Sequence, residues 1–476
     1  MDIPPSSQYP ARSSASHILL EEIEHEAENE ETRERDVHFF LPSTNPQSRR
    51  SSADDAAQMN SRPRSSAFSN NPGSSSSPNG RMLLVHTFPL SAQSGPSQTL
   101  LLPRTNVTGN RVLAACRDDS MRCAYFHEED VGGDELVVVP KSALISSFPL
   151  EKPWKVGAMS VKTADPSVPG CVDLVVCLAY LPRQKDGAAF VDSDKAPKSI
   201  LIAAWMQPED LAMEKPVLAH VHLGFTPHGC NQLIWWKDLE KLEETTARII
   251  IPSQEDALYC LELPRTLPQT DNMPLHVQDA SSVVPLFSKI GPLSCVNAME
   301  YFDQSDKRYI AVSTGPSASI RFGYYSVASE EWYPMWEVRH DSMTSRMRFF
   351  QDGNKVHLLV IGLLEVAIIY LNVSAELRPK SVVLPKSKHF DVVTSCDIVS
   401  GNGGSRPEIF LGTYGRSVLV YQFDEVNPVL SYVLETACPV YYLAVADMLR
   451  SMQTSAQKEL VTVVVTQKAI QVYCLV

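Results

Sequence analysis

No stretch of this chain reaches the ~18 uninterrupted apolar residues that a membrane-spanning helix requires. The N terminus, MDIPP, has no basic start and no apolar segment after it, so it does not read as a secretory leader and the chain is expected in the cytosol. Ten cysteines include no CxxC pair; the nearest neighbours are Cys171 with Cys177 and Cys116 with Cys123. That spacing argues against a zinc ribbon and a disulfide framework, and favours buried thiols in a reducing compartment. The sequons at Asn106 and Asn372 then carry no weight. A basic surplus is also missing: the net charge is −13 and the pI about 5.4, which disfavours nucleic acid and other polyanions as partners. Residues 1–80 hold twelve acidic and seven basic residues, a net −5 that leaves −8 for 81–476.

Aliphatic residues are scarce in 1–80, which is rich in Ser, Pro, Asn and Arg. Such a segment buries too little apolar surface to offset roughly 1–2 kcal/mol of ordering entropy per residue, so a disordered tail is expected. A short helix capped by Ser16 and carrying Ile18, Leu19, Leu20 and Ile23 is the one local exception, set against a solvated acidic run from Glu21 to Asp36. Arginines precede Ser51, Ser52, Ser65 and Ser66, a pattern that suits phosphorylation by kinases with acidic grooves; chance in an Arg/Ser-rich segment gives the same pattern.

From Arg81 onward long 3.6-residue periodicity is absent too. What takes its place is a succession of paired short apolar runs bounded by Gly, Pro, Asp and Ser, which reads as an all-β fold. The segment CDIVSGNGGSRPEIFLGTYGRSVLVYQF, Cys396 to Phe423, is the clearest unit: Asp397, a glycine turn, then runs from Glu408 to Gly412 and from Ser417 to Phe423. Gly415 is the expected hinge between them, supplying the positive φ of a tight hairpin. Asp447, Glu459 and Tyr473 repeat Asp397, Glu408 and Tyr421 about fifty residues later, a blade-sized period.

Five further pairs precede these two: Arg111 to Cys116 with Met121 to Phe126, Val172 to Tyr180 with Ser199 to Met206, Ala247 to Ile251 with Ala257 to Leu263, Tyr309 to Thr314 with Ser319 to Tyr325, and Val356 to Ile361 with Val366 to Leu371. An aromatic residue marks the second run of each pair: Tyr125, Trp205, Tyr259, Tyr324, Tyr370, Tyr421 and Tyr473. Further strand candidates, Val217 to Leu223, Gln232 to Trp236, Trp332 to Val338 and Ser381 to Leu384, supply about four strands per unit. The expected fold is a seven-bladed β-propeller over 81–476, closed by 82–102 joining the blade that contains Val461 to Cys474.

Candidate chemistry is sparse. Asp397 is followed at the second and fourth positions by Val399 and Gly401, so the alternating oxygen ligands of a calcium loop are missing; Asp397 and Glu408 are expected to bond turn amides. His220 and His222 share one strand face but lack an acidic or third imidazole partner nearby. His228 and Cys230 are neighbours in sequence only, and Gly401 to Gly404 lacks the lysine and helix of a phosphate loop. No catalytic, cofactor or metal site is assigned. The aromatic concentrations at Trp235 and Trp236 and at Trp332 and Trp336 fit either packing between blades or a protein interface.

The runs PEIFLGTYGRSVLVYQF (Pro407 to Phe423), LPKSKHFDVVTSCDIV (Leu384 to Val399), HLLVIGLLEVAIIY (His357 to Tyr370) and LGFTPHGC (Leu223 to Cys230) resemble the kaptin family, on its invertebrate side. They also resemble FG-GAP repeats of integrin-like propellers with the acidic loop degenerated. The likeness runs from about Arg111 to the C terminus; the Ser-rich front end and the end at Val476, where vertebrate kaptins carry a charged tail, depart from it. It implies a non-enzymatic subunit of the KICSTOR complex. That complex tethers the GATOR complex at lysosomes and restrains mTOR signalling when amino acids or glucose are scarce. The implied partners are a second FG-GAP-type propeller and the seizure-threshold scaffold. The alternative that the resemblance offers is an actin-filament-associated adaptor at lamellipodia or stereocilia.

Overall fold

The computed structural model describes residues 82–89, 99–101, 111–117, 120–129, 137–141, 155–162, 168–180, 199–206, 217–223, 225, 233–237, 245–253, 257–268, 273–291, 293, 295–315, 318–364, 366–375, 379–399, 406–449, 458–466 and 469–475. The expectations for 1–80, including Ser16, Ser51, Ser52, Ser65 and Ser66, lie outside the described residues, as do those for His228, Cys230 and Gly401 to Gly404.

The described strands form seven four-stranded antiparallel sheets, six of them meanders of strands consecutive in sequence. Sheet I comprises Thr99–Leu101, Arg111–Arg117, Ser120–Glu129 and Val137–Lys141; sheet II, Lys155–Lys162, Asp173–Tyr180, Ser199–Met206 and Val217–Leu223. Sheet III comprises Ile234–Trp236, Thr246–Pro252, Leu258–Pro264 and Val277–Asp279; sheet IV, Val296–Gln304, Lys307–Thr314, Ser319–Ser326 and Glu331–Arg339. Sheet V comprises Thr344–Asp352, Lys355–Gly362, Ile368–Tyr370 and Ser381–Val383; sheet VI, Val393–Val399, Glu408–Thr413, Ser417–Gln422 and Val429–Glu435. Sheet VII joins Val440–Leu449, Lys458–Thr466 and Ala469–Leu475 to Met82–Pro89 from the other end of the chain. First strands touch from sheet III through II and I to VII, and on through VI and V to IV, while sheets III and IV share a core of Ile234, Trp236, Ile250, Val296, Met299 and Ile310, which is the radial arrangement of a β-propeller.

Each of the seven sequence-identified pairs is the middle pair of one sheet. Middle strands are covered on both faces by neighbouring sheets, so they are the most continuously apolar: Val356 to Gly362 and Ile409 to Thr413 are buried throughout. First strands were less legible because they alternate. Thr344–Asp352, for example, runs Thr-Ser-Arg-Met-Arg-Phe-Phe-Gln-Asp, with Arg348 exposed between buried Met347 and Phe350. The Pro-rich connection between the third and fourth pairs is not only a loop. It holds the last strand of sheet III and two short helical turns, Ala280–Val283 and Leu286–Lys289, which bury Ala280, Leu286 and Phe287.

Closure uses less of the N-terminal segment than expected. Met82–Pro89 pairs antiparallel with Ala469–Leu475, while Thr99–Leu101 opens sheet I instead. Met82 joins the core with Phe410, Val464 and Tyr473.

The Gly415 turn also differs from expectation: the residue at positive φ is Arg416, at +65°. Gly415 is needed for space, because a Cβ there would collide with the carbonyl of Phe390 in the loop arriving from sheet V. Thus Gly415→Ala is expected to cost about 1–3 kcal/mol in urea denaturation, as overpacking does, whereas Arg416→Gly is expected to cost nothing. Deleting 82–89 opens sheet VII and is expected to leave the protein insoluble or with a lowered Tm, while deleting 1–75 leaves Tm unchanged by scanning calorimetry.

Candidate functional site

Polar groups on the first strands join sheets IV to VII at steps close to 48 residues. An Arg348 guanidinium nitrogen donates to Glu300 Oε1 at 3.3 Å, and Arg346 Nε to the Thr394 carbonyl at 3.1 Å. The Val445 amide donates to Asp397 Oδ2 at 2.7 Å. Asp397 therefore does not serve a turn, as its sequence context suggested; it lies within a first strand and caps an amide of the next sheet. Burial pushes the carboxyls of Glu300 and Asp397 above their ordinary range, and the neighbouring Arg348 offsets this in part. Cys396 beside them is pushed up to about 11 by burial, so it is a thiol and not a nucleophilic thiolate. Glu408 lies in a paired strand opposite Val399 and Gln422, and its carboxyl is likewise raised by burial. The backbones of Asp447 and Glu459 sit in paired strands, opposite Leu460 and Met448.

Three of the repeated aromatics tie one sheet to its neighbour. Trp205 Nε1 donates to the Pro264 carbonyl of sheet III at 2.7 Å, and the Tyr421 hydroxyl to the Pro385 carbonyl between sheets V and VI at 3.0 Å. Tyr370 bonds His340 Nε2 at 2.9 Å, and Tyr473 is buried, which raises its phenol to about 12.

Trp236 is 4% exposed, tilted against Phe287 and Tyr301. The guanidinium of Arg308 stacks 4.5 Å from Trp236 and 4.4 Å from Tyr301 and forms a two-pronged pair with Asp303. Trp236 is therefore a packing residue between sheets III and IV. Trp235 is half-buried against the core of sheets II and III, and Trp336 lies on Phe322 at 4.8 Å. Trp332 is half-buried on the outer strand of sheet IV, next to Tyr333, which is 37% exposed. The structure brings Trp332 and Trp336 onto one strand and separates them from Trp235.

His220 and His222 are exposed, with ring centroids 6.0 Å apart. Among the described residues the one grouping of metal-ligand type is elsewhere: Asp352, His357 and Glu425, where sheets V and VI meet. His357 is fully buried, clamped by Phe350 and Phe423, and its Nε2 faces Glu425 Oε1 at 3.8 Å. Nδ1 accepts from the Asn372 amide, so in the neutral ring the proton sits on Nε2, the nitrogen a metal would need. Lys355 Nζ already lies 2.7 Å from Glu425 Oε2. The donor set does not fit a metal, and the cation of this cluster is Lys355.

The family model described as KICSTOR complex protein kaptin matches residues 213–474. Similar solved structures include Raptor of Chaetomium thermophilum, at 12% identity and TM-score 0.46 over 84% of this chain, which spans 29% of that one. A chain of BBS1N in complex with ARL6DN gives 11% identity and TM-score 0.45, covering 84% of this chain and 98% of that one. A chain of the Mitotic Checkpoint Complex gives 11% and 0.45, covering 87% and 99%.

Burial holds His357 down at about pKa 4 against an ordinary 6.5. Below pH 6.5 the unfolded chain takes up a proton that the folded chain refuses, so stability falls with pH until about 4 and the loss is then complete. His357→Gln is expected to flatten this dependence by up to about 1.4 kcal/mol per pH unit, read from denaturant titrations across the window. With more than half of its length inside the family match, the chain belongs to the kaptin family of KICSTOR complex proteins.

Proposed function

We propose that this protein is a non-enzymatic scaffold subunit of the KICSTOR complex, a propeller in which each of the seven sheets is one blade. The family match over 213–474 is the observation that carries this reading. In it, the chain stands in the cytoplasm, is recruited to the lysosomal surface through the complex, and helps bring the GATOR complex there to restrain mTOR signalling when amino acids or glucose run short. The direct partners are the second FG-GAP-type propeller and the seizure-threshold scaffold.

The lining of the folded part supports a rigid platform more than a reaction centre. The Cys396 thiol is protonated, the His357 imidazole is neutral and the Asp397 carboxyl is engaged in joining sheets. The aromatic outer strand of sheet IV, with Trp332 and Tyr333, is the surface we assign to a partner propeller; aromatic anchors of this kind dominate interfaces. Phosphorylation at Ser51, Ser52, Ser65 or Ser66 would add charge outside that platform and tune its assembly.

A tagged chain is expected to copurify with the other propeller subunit in equal amounts from nutrient-starved cells, and Trp332→Ala to lower that yield. Recovery as a free monomer overturns the reading. Cosedimentation with actin filaments at physiological salt would favour the adaptor role instead, which the net −8 of residues 81–476 opposes.

A further inference from the structure

In an antiparallel meander the loop between the second and third strands lies at the same end of the sheet as the connection to the next sheet. For sheets V and VI that end holds residues 340–343, 363–367, 384–392 and 413–417, and hydrogen bonds lace them into one surface. The Leu363 amide donates to the Met343 carbonyl at 2.9 Å, and the Leu364 amide to Ser342 Oγ at 3.3 Å. The Ala367 amide donates to Ser387 Oγ at 3.3 Å, and the Tyr414 amide to the Val392 carbonyl at 2.8 Å. The segment 384–392 thus lies between the tip at Leu363 and Leu364 and the tip at Tyr414.

Four of the ten large apolar side chains exposed among the described residues stand on this surface: Leu364 at 86%, Tyr414 at 50%, Leu363 at 43% and Met343 at 39%. Between the two apolar tips Lys386, Lys388 and His389 are exposed, and Arg416 is exposed beside Tyr414. Residues 377–390 hold four basic residues and no Asp or Glu, in a region 81–476 whose net charge is −8. Of the exposed carboxylates near by, Asp391 accepts the Val392 amide at 2.7 Å, while Asp341 and Glu435 lie outside the two tips, at the entry to sheet V and on the outer strand of sheet VI.

The backbone under these side chains is fixed. Lys386, Asp391 and Arg416 stand at φ +62°, +66° and +65°, a left-handed conformation that residues other than glycine seldom take. Packing of Phe390 against the core of sheets V and VI holds the loop, as does the Tyr421 hydroxyl, which donates to the Pro385 carbonyl at 3.0 Å. A surface whose geometry is set in advance loses little freedom on binding.

We propose that this end of sheets V and VI binds an acidic segment of a partner protein, one that carries an apolar anchor on each side of its acidic run. The order apolar, basic, apolar on this surface calls for its converse: carboxylates over Lys386, Lys388 and Arg416, with anchors against Leu363 and Leu364 and against Tyr414. A second copy of this chain does not fit, because a two-fold contact would set the same basic stretch against itself. An anionic bilayer would suit the lysines but meets Asp341, Asp391 and Glu435 and the net −8 of residues 81–476. The surface is distinct from the aromatic site on sheet IV, since Trp332 and Tyr333 begin their strand at the opposite end of the propeller.

The test pans a display library of short random peptides on the full chain, on the double variant Lys386→Glu and Lys388→Glu, and on Leu364→Ser. All three side chains are exposed, so the variants keep the fold. Peptides enriched on the unaltered chain are expected to be acidic with Leu, Ile or Phe at their flanks, to bind more weakly as salt is raised, and to lose roughly tenfold in affinity on each variant. The double variant is expected to enrich basic peptides instead. The unaltered chain is expected not to float with phosphatidylserine vesicles. Failure to enrich any peptide, equal binding of the enriched peptides to all three proteins, or vesicle flotation that Leu364→Ser abolishes overturns the proposal.

Discussion

The fold depends on one backbone pairing between the two ends of its sheet-forming region. Met82–Pro89 lies along Ala469–Leu475, and without it the last sheet would have three strands and an open edge. A sheet in a ring buries each face against a neighbour, so no sheet is stable by its own content. Buried aliphatic and aromatic side chains, each contributing roughly 1.5–3 kcal/mol, count only while the neighbour is present. Closing the ring converts seven marginal sheets into one cooperative unit.

Between sheets the apolar packing is non-directional, and a second, polar set of contacts fixes the angular relation. The Arg348–Glu300 pair, the Arg346–Thr394 bond and the Asp397–Val445 bond link first strands, while Trp205 and Tyr421 reach from third strands to neighbouring carbonyls. Trp205 and Tyr421 are buried, and a buried donor left unpaired is costly, so their bonds select one register between neighbours. The Arg308 stack between Trp236 and Tyr301 does the same at the boundary of sheets III and IV. A platform built this way suits holding other proteins in fixed relation.

The middle hairpins were legible in the sequence because strands covered on both faces must be apolar almost throughout. First strands were not, since their polar residues belong to bonds with partners some 48 residues away that no local pattern records. A repeat of polar residues at that spacing, Glu300, Arg348 and Asp397, was the available signal, obscured by the stronger aromatic one. Gly415 reads from sequence as the hinge with positive φ, but that φ belongs to Arg416, and only the folded chain brings the Phe390 carbonyl against Gly415.

The sequence by itself determined the all-β class, the blade-sized repeat and the lack of calcium-loop ligands, because these rest on hydrophobic periodicity and local composition, and it carried the family through motifs that resemble kaptins. Tertiary structure alone decided that Asp397 serves the adjacent sheet, that Trp236 is packing, and that His357 meets Asp352 and Glu425 with its Nδ1 accepting from the Asn372 amide. Those outcomes depend on which sheets become neighbours and which way each backbone group points, and residue order fixes neither until the ring has closed.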